Sequence, residues 1–241
     1  MKFIVIERAE KRNISELNIS CMFKNQNIIK IYGFYEIKKN ELDCIIMEYG
    51  KFGNLRDFQK KILQREVLSE QLLCFFTLQI LNGLNHCHKC IVVHFDLKLQ
   101  NIIIDEYLMV KLIDFSVALN YNRINSDKIR TPFRGTSFYM PPEVIKSKTI
   151  NVNDLNKIDL YSLGMILYYL AFGYFPFGLK NEDAKDYDTI YYKIKNNKLE
   201  FDDEYNYYSK YFIDFLGKLL EKDINKRINI NKALNHYWTK G

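Results

Sequence analysis

What these 241 residues lack narrows the field before any motif is read. No long basic run appears, although the formal charge is +6 and the pI about 8.8. The excess is spread along the chain, which suits small anionic partners such as nucleotides and argues against nucleic acid. No signal peptide is expected from MKFIVIERAEKRN, where a short apolar run is cut by Glu7 and Arg8 and no h-region or cleavage site is seen. No repeat and no low-complexity block is visible. The five cysteines (Cys21, Cys44, Cys74, Cys87, Cys90) are odd in number and irregular in spacing, so no disulfide framework is expected. A reducing, intracellular compartment fits them, cytoplasmic or possibly nuclear. A second apolar run of spanning length is also missing. The one candidate, Leu160–Phe177, carries Ser162, two glycines, Pro176 and four tyrosines, and Asp159 precedes it. It is predicted to be a fully buried helix rather than a membrane span.

The rest of the composition is that of a folded globular chain, 48% apolar and 27% charged. Phe3–Ile6 is rich in β-formers. Ile14–Phe23 is predicted helical, with Leu17, Ile19, Met22 and Phe23 apolar. Ile28–Tyr35 and Asp43–Glu48 read as strands across the polar KKNE turn. Gly50 and Gly53 then break the pattern and mark a linker. Helical signals dominate beyond it. Ser69 is a candidate cap for EQLLCFFTLQILNGLNHCH, Asp159–Phe172 is the buried helix, and Asp188–Lys195, Lys210–Leu220 and Ile230–Trp238 are further helices. Ile102–Ile104 and Val110–Ile113 are predicted as short strands, and Asn120–Lys128 as a loop. A small mixed part followed by a large helical part is an α+β, two-lobed plan.

The chemistry concentrates in two stretches, HFDLKLQN (His94–Asn101) and LIDFS (Leu112–Ser116). The intervening short strands bring their outer ends together, and with them Asp96, Lys98, Asn101 and Asp114. An Asp and an Asn offer the hard oxygens that Mg²⁺ takes. A lysine adds positive charge for a phosphoryl group. A second Asp can orient a hydroxyl and accept its proton. Any one of these residues alone would read as a solvated loop charge; the four together do not.

HFDLKLQN resembles the H-R-D-L-K-x-x-N catalytic loop of protein kinases, and LIDFS resembles their D-F-G segment. GTSFYMPPE (Gly135–Glu143) is similar to the end of the kinase activation segment. DLYSLGMILYYLAFGYFPF resembles the central helix of the large lobe, EKDINKRI (Glu221–Ile228) the segment carrying a paired arginine, and HYW the last helix. The resemblance implies a two-lobed kinase-like fold, with residues 1–47 as a small β-rich lobe, 48–53 as hinge and 54–241 as a mainly helical lobe. It implies transfer of the γ-phosphoryl of ATP to a Ser/Thr hydroxyl of a protein substrate, with Mg²⁺ as cofactor. Asp96 matches the catalytic base and Lys98 the γ-phosphate lysine. Asn101 and Asp114 match the Mg²⁺ ligands. Met47 falls at the gatekeeper, Glu48 to Gly50 at the hinge facing adenine, Asn54 near the ribose, and Ile103 under the base. His94 and Phe115 match two members of the stack joining the lobes, with Ile31 and Ser20 at the other two positions. Glu143 and Arg227 match a buried ion pair, Asp159 the residue holding the catalytic loop, and Thr136 a hydroxyl near the base.

The sequence departs from that pattern at several points. No glycine occurs before residue 14, so the G-x-G-x-x-G phosphate cover is missing. Glu16 falls at the helix glutamate and Lys2 at the nucleotide-anchoring lysine, with Lys11 as the alternative. The chain is expected to begin at or near the third strand of the small lobe, as a fragment or a curtailed lobe. Phe95 replaces the arginine that meets a phosphorylated activation segment, so switching by that route is not expected. Thr131 and Ser126 lie off the usual phosphosite spacing. Ser116 replaces a glycine and restricts the backbone. A binding module with weak or no catalysis is therefore the alternative function, and a small-molecule kinase a third. HCHKC (His86–Cys90) reads as a helix end leading into the loop rather than a metal site. No membrane partner is expected.

Overall fold

The computed structural model describes residues 2–7, 22–37, 42–62, 67–122, 124–177, 186–201 and 207–241. Three strands rich in β-branched and aromatic residues form the first part: β1 (Lys2–Glu7), β2 (Ile31–Ile37) and β3 (Leu42–Met47). They make one antiparallel sheet in the order β1-β3-β2, with Lys2 opposite Met47 and Glu7 opposite Leu42. The strand expected from Ile28 begins three residues later. Residues 27–29 instead bind the larger part: Leu112 N–H donates to the Asn27 carbonyl and Ile29 N–H to the Leu112 carbonyl, at 2.9 and 3.0 Å. Asn27, fully buried, donates from Nδ2 to Gln79 Oε1 and to the Val110 carbonyl. Both Asn27 Nδ2 hydrogens are thus paired, whereas its buried Oδ1 has no partner among the described residues.

The expected helix over Ile14–Phe23 lies mostly outside the described residues, as do Glu16 and Ser20; its last two residues, Met22 and Phe23, are not helical. The predicted linker is stapled to the body. Phe52 N–H donates to the Ile104 carbonyl, and Ile104 N–H to the Gly53 carbonyl. Gly53 takes φ 73°, where a side chain would be strained. Asn54 then caps a short helical turn, Leu55–Asp57, accepting from Asp57 N–H at 2.9 Å.

Helix α1 (Glu70–Lys89) is capped by Ser69, as its sequence predicts, and buries Leu73, Phe76, Ile80, Leu84 and Cys87 along one face. Each such apolar side chain contributes about 1.5–3 kcal/mol. Gly83 on this helix has no room for a Cβ, which would lie 2.9 Å from the Asn27 carbonyl oxygen. Two-residue strands β4 (Val92–Val93) and β7 (Leu119–Asn120) pair, and β5 (Ile102–Ile104) pairs with β6 (Val110–Leu112). β8 (Lys128–Arg130) pairs with β9 (Thr149–Asn151), so the expected loop at Asn120–Lys128 is bracketed by strand ends.

Helix α2 (Pro142–Ile145) opens on proline, where the missing N–H costs nothing. Helix α3 (Lys157–Phe172) is the expected core helix, buried on all sides and ended by Gly173 at φ 79°. No helix among the described residues is long and apolar enough to cross a membrane. α4 (Tyr187–Asn196) and α5 (Lys210–Leu219) lie where the periodicity puts them. The single helix expected over Ile230–Trp238 is two, α6 (Ile230–Leu234) and α7 (Tyr237–Lys240). His236 breaks it: its backbone is extended at ψ 149° and its ring accepts from Trp238 N–H. Trp238 packs on Phe212 and Phe215 of α5, and its indole N–H donates to Glu70 at the start of α1.

Candidate active site

The loop His94–Asn101 leaves β4 and runs into β5, and its shape is fixed from below. Asp159, wholly buried near the start of α3, accepts from His94 N–H and Phe95 N–H, both at 3.0 Å. The same carboxylate takes the His88 ring at 2.8 Å. The backbone is bent to match: Phe95 has φ 65° and Asp114 has φ 64°, a region costly for non-glycine residues and common at functional sites. The His94 ring donates from Nε2 to the Ile113 carbonyl at 3.0 Å and accepts Asp96 N–H at Nδ1. It therefore ties the HFDLKLQN loop to the LIDFS stretch.

Asp96 is the centre of the cluster. Lys98 Nζ lies 2.6 Å from its Oδ2, and the Thr136 hydroxyl donates to its Oδ1 at 2.6 Å. Lys98 also donates to Thr136 Oγ1 at 3.0 Å, closing a triangle. Asn101 turns its Nδ2 toward Asp96, giving one bond to the carbonyl and one to Oδ2. Its Oδ1 is thereby left as the outward oxygen. Ile113 N–H donates to the Asn101 carbonyl, which sets the following residue, Asp114, beside Asn101. Asp114 Oδ1 accepts from the Ser116 hydroxyl at 2.6 Å and from Ser116 N–H at 3.3 Å. The serine that replaces glycine thus does more than stiffen the backbone: it holds one oxygen of the carboxylate and leaves the other. Two hard oxygens on adjacent supports are a donor set that fits Mg²⁺.

Gly135 brings Thr136 into this cluster. It has φ 102°, and a Cβ there would lie 2.3 Å from the Phe95 carbonyl oxygen. Below the same segment, Arg227 and Glu143 form two parallel bonds of 2.6 and 3.0 Å, with Arg227 also over the Tyr161 ring. Burial pushes the Tyr161 phenol far above its ordinary pKa, and the neighbouring guanidinium only partly offsets this.

On the sheet side, Ile103 sits under the linker: a Cβ on Gly50 would meet the Ile103 side chain at 3.0 Å. Glu48 accepts from Lys111 at 2.7 Å. The Asn54 side chain is engaged with Asp57 as a cap and donor. Met47 ends β3 opposite both Lys2 and Ile31. The Phe115 ring lies tilted against His94 at 4.8 Å and against Phe23 at 5.0 Å. Sequence reasoning missed Phe23 in that role, and missed His88 under Asp159; the one clue to His88 was its place in HCHKC, read only as a helix end. It also missed Arg134, whose guanidinium lies 5.7 Å over the Phe95 ring and donates to the Val117 carbonyl. A cation thus meets Phe95 where the resemblance puts an arginine.

Comparison with known proteins adds to this geometry. The protein kinase domain family matches residues 1–239. The chain is 32% identical over 237 residues to the MAP kinase kinase MKK1/SSP32 of Saccharomyces cerevisiae, covering 96% of this chain and 45% of that protein. It is 32% identical over 245 residues to human death-associated protein kinase 2, covering 96% of this chain and 61% of the relative. With calcium-dependent protein kinase 5 of Plasmodium berghei it shares 31% over 244 residues, 97% of this chain and 40% of that one. The chain thus spans only about half the length of these relatives.

Proposed function

This chain belongs to the protein kinase domain family, and from that premise we propose that it transfers the γ-phosphoryl group of ATP to a serine or threonine hydroxyl of a protein. The observation that carries the reading is Asp96, which already accepts a bond from an alcohol, Thr136, at 2.6 Å. A substrate hydroxyl presented to the same carboxylate would be oriented and would lose its proton to it. Lys98, with a fifth of its side chain exposed, stands beside Asp96 to meet negative charge on the transferring group. Asn101 Oδ1 and the open oxygen of Asp114 are the residues that would hold Mg²⁺, which when bound neutralises phosphate charge.

In this reading residues 1–47 form the small lobe, 48–53 the hinge and 54–241 the large lobe. Met47, Glu48 and Gly50 border the adenine, Ile103 packs beneath it, and Asn54 lies toward the ribose. Lys2 and Glu16 are the pair assigned to anchor the phosphates. Pure protein with MgATP should phosphorylate a serine/threonine peptide mixture, and Asp96→Asn should remove that signal. A second reading, a binding module without turnover, is favoured by the lack of a G-x-G-x-x-G stretch in these 241 residues. No thermal shift at millimolar MgATP, with no phosphopeptide formed, would decide for it.

A further inference from the structure

A second concavity, of about 560 Å³, opens where β8–β9, the end of α2, the end of α4 and the α5–α6 loop meet. That volume falls within the roughly 300–1,000 Å³ of small-molecule pockets. Five lysines line it: Lys128, Lys146, Lys148, Lys195 and Lys222. Three carboxylates also border it, and each is engaged elsewhere. Glu143 holds Arg227, Asp154 holds Lys157 at 2.8 Å, and Asp223 Oδ1 accepts from Asn225 N–H and Nδ2. Lys222 is committed to the Asn197 carbonyl and to the Phe177 ring. Among the described residues, the other four ammonium groups make no ion pair within 4 Å, although, after the Asn225 hydrogen bonds, the charge of Lys148 helps to hold the Asp223 carboxyl below its ordinary pKa. Burial, and then the charge of Lys146, pull the Lys222 pKa down.

Four chain segments converging with like charge on one hollow make sense if an anion of high charge enters it. We propose that this cavity binds a soluble, multiply phosphorylated small molecule through Lys128, Lys146, Lys148 and Lys195. Lysine is a point-charge phosphate binder, and no arginine lines the hollow among the described residues to favour planar carboxylates. A membrane surface fits less well: the site is concave, and no exposed large apolar side chain borders it to insert into lipid. The bound molecule would tie the β8–β9 pair, whose strand β8 lies between Asp114 and Glu143 and whose strand β9 follows Glu143, to α4 and the α5–α6 loop. The inference stands apart from phosphotransfer and does not need it.

The test is calorimetry with sodium tripolyphosphate at low salt, without Mg²⁺ or nucleotide. The wild type is compared with Lys128→Gln/Lys146→Gln/Lys148→Gln and with a control of equal charge loss, Lys210→Gln/Lys232→Gln/Lys240→Gln. All six side chains are exposed, so the variants should keep the wild-type melting temperature, which is measured alongside. One-to-one binding is expected, weakened at least about tenfold in the cavity variant and unchanged in the control. No binding, or equal binding by all three proteins, would overturn the assignment. So would binding seen only to phosphatidylcholine vesicles containing phosphatidylinositol bisphosphate.

Discussion

The Glu143–Arg227 and Asp96–Lys98 pairs each join a carboxylate to a cation at 2.6 Å, yet they differ in everything around that contact. Arg227 and Glu143 have side chains 0% and 3% exposed, and both carboxylate oxygens are taken by one guanidinium. Further guanidinium donors reach the Glu221 and Lys157 carbonyls. Four of the five guanidinium N–H groups and both carboxylate oxygens are thus engaged. Lys98 and Asp96 are 21% and 9% exposed, and beside the Asn101 amide a flexible ammonium and a rotatable hydroxyl share the carboxylate. Those partners can move aside for an incoming group. The sealed pair suits cohesion; the half-open one suits chemistry. The segment from Gly135 to Glu143 links them, with Thr136 in one and Glu143 in the other.

Removing the charge from the open pair should have the largest effect on turnover. Asp96→Asn should lower phosphotransfer by roughly 10²–10⁴-fold while leaving the melting temperature within a degree or two. A variant that melts early as well would erase the contrast. Breaking the sealed pair should do the reverse. Arg227→Ala strands a buried carboxylate and should cost about 3–5 kcal/mol in denaturant unfolding. A loss under about 1 kcal/mol would show that the Glu143 site is wet and not sealed. Gly135→Ala should come next, since it strains the backbone and pushes a methyl group into the Phe95 carbonyl. It should cost about 1–3 kcal/mol and also displace Thr136, so activity falls beyond what stability explains.

The smallest effect is a neutral counterpart to both pairs. The Tyr208 hydroxyl donates to the Leu68 and Ala171 carbonyls, and burial lifts its pKa from 10.0 to about 12. Its contribution is intact below pH 10, the unfolded value, and is lost as pH rises toward 12. Tyr208→Phe should cost about 1 kcal/mol at neutral pH and flatten that alkaline decline, with turnover unchanged. Stability curves at pH 8 to 12 would check it; an unaltered decline would assign it to other tyrosines.

The clustering of Asp96, Lys98 and Asn101 was legible in the sequence because these polar residues fall in one short loop, with Asp114 just past β6. Helices with strong caps and regular apolar spacing, such as α1 behind Ser69, were legible for the same local reason. What escaped were contacts whose partners are distant in the chain. His88 and Asp159 are 71 residues apart, and nothing near either announces the other. Phe23, in the stretch ahead of β2, meets Phe115 far along the chain. The break at His236 escaped because apolar spacing continues through it; a ring nitrogen capping Trp238 N–H decides the matter.

The grip of Asp159 on His94 and Phe95 has one more consequence. Those two amide protons sit on a carboxylate with no solvent access, anchored in α3, which is buried on all sides. They should exchange with deuterium only when α3 itself comes loose, on the timescale of global opening, although they belong to a loop. A segment usually counted among the softest parts of a fold would then report, amide by amide, on the unfolding of the whole.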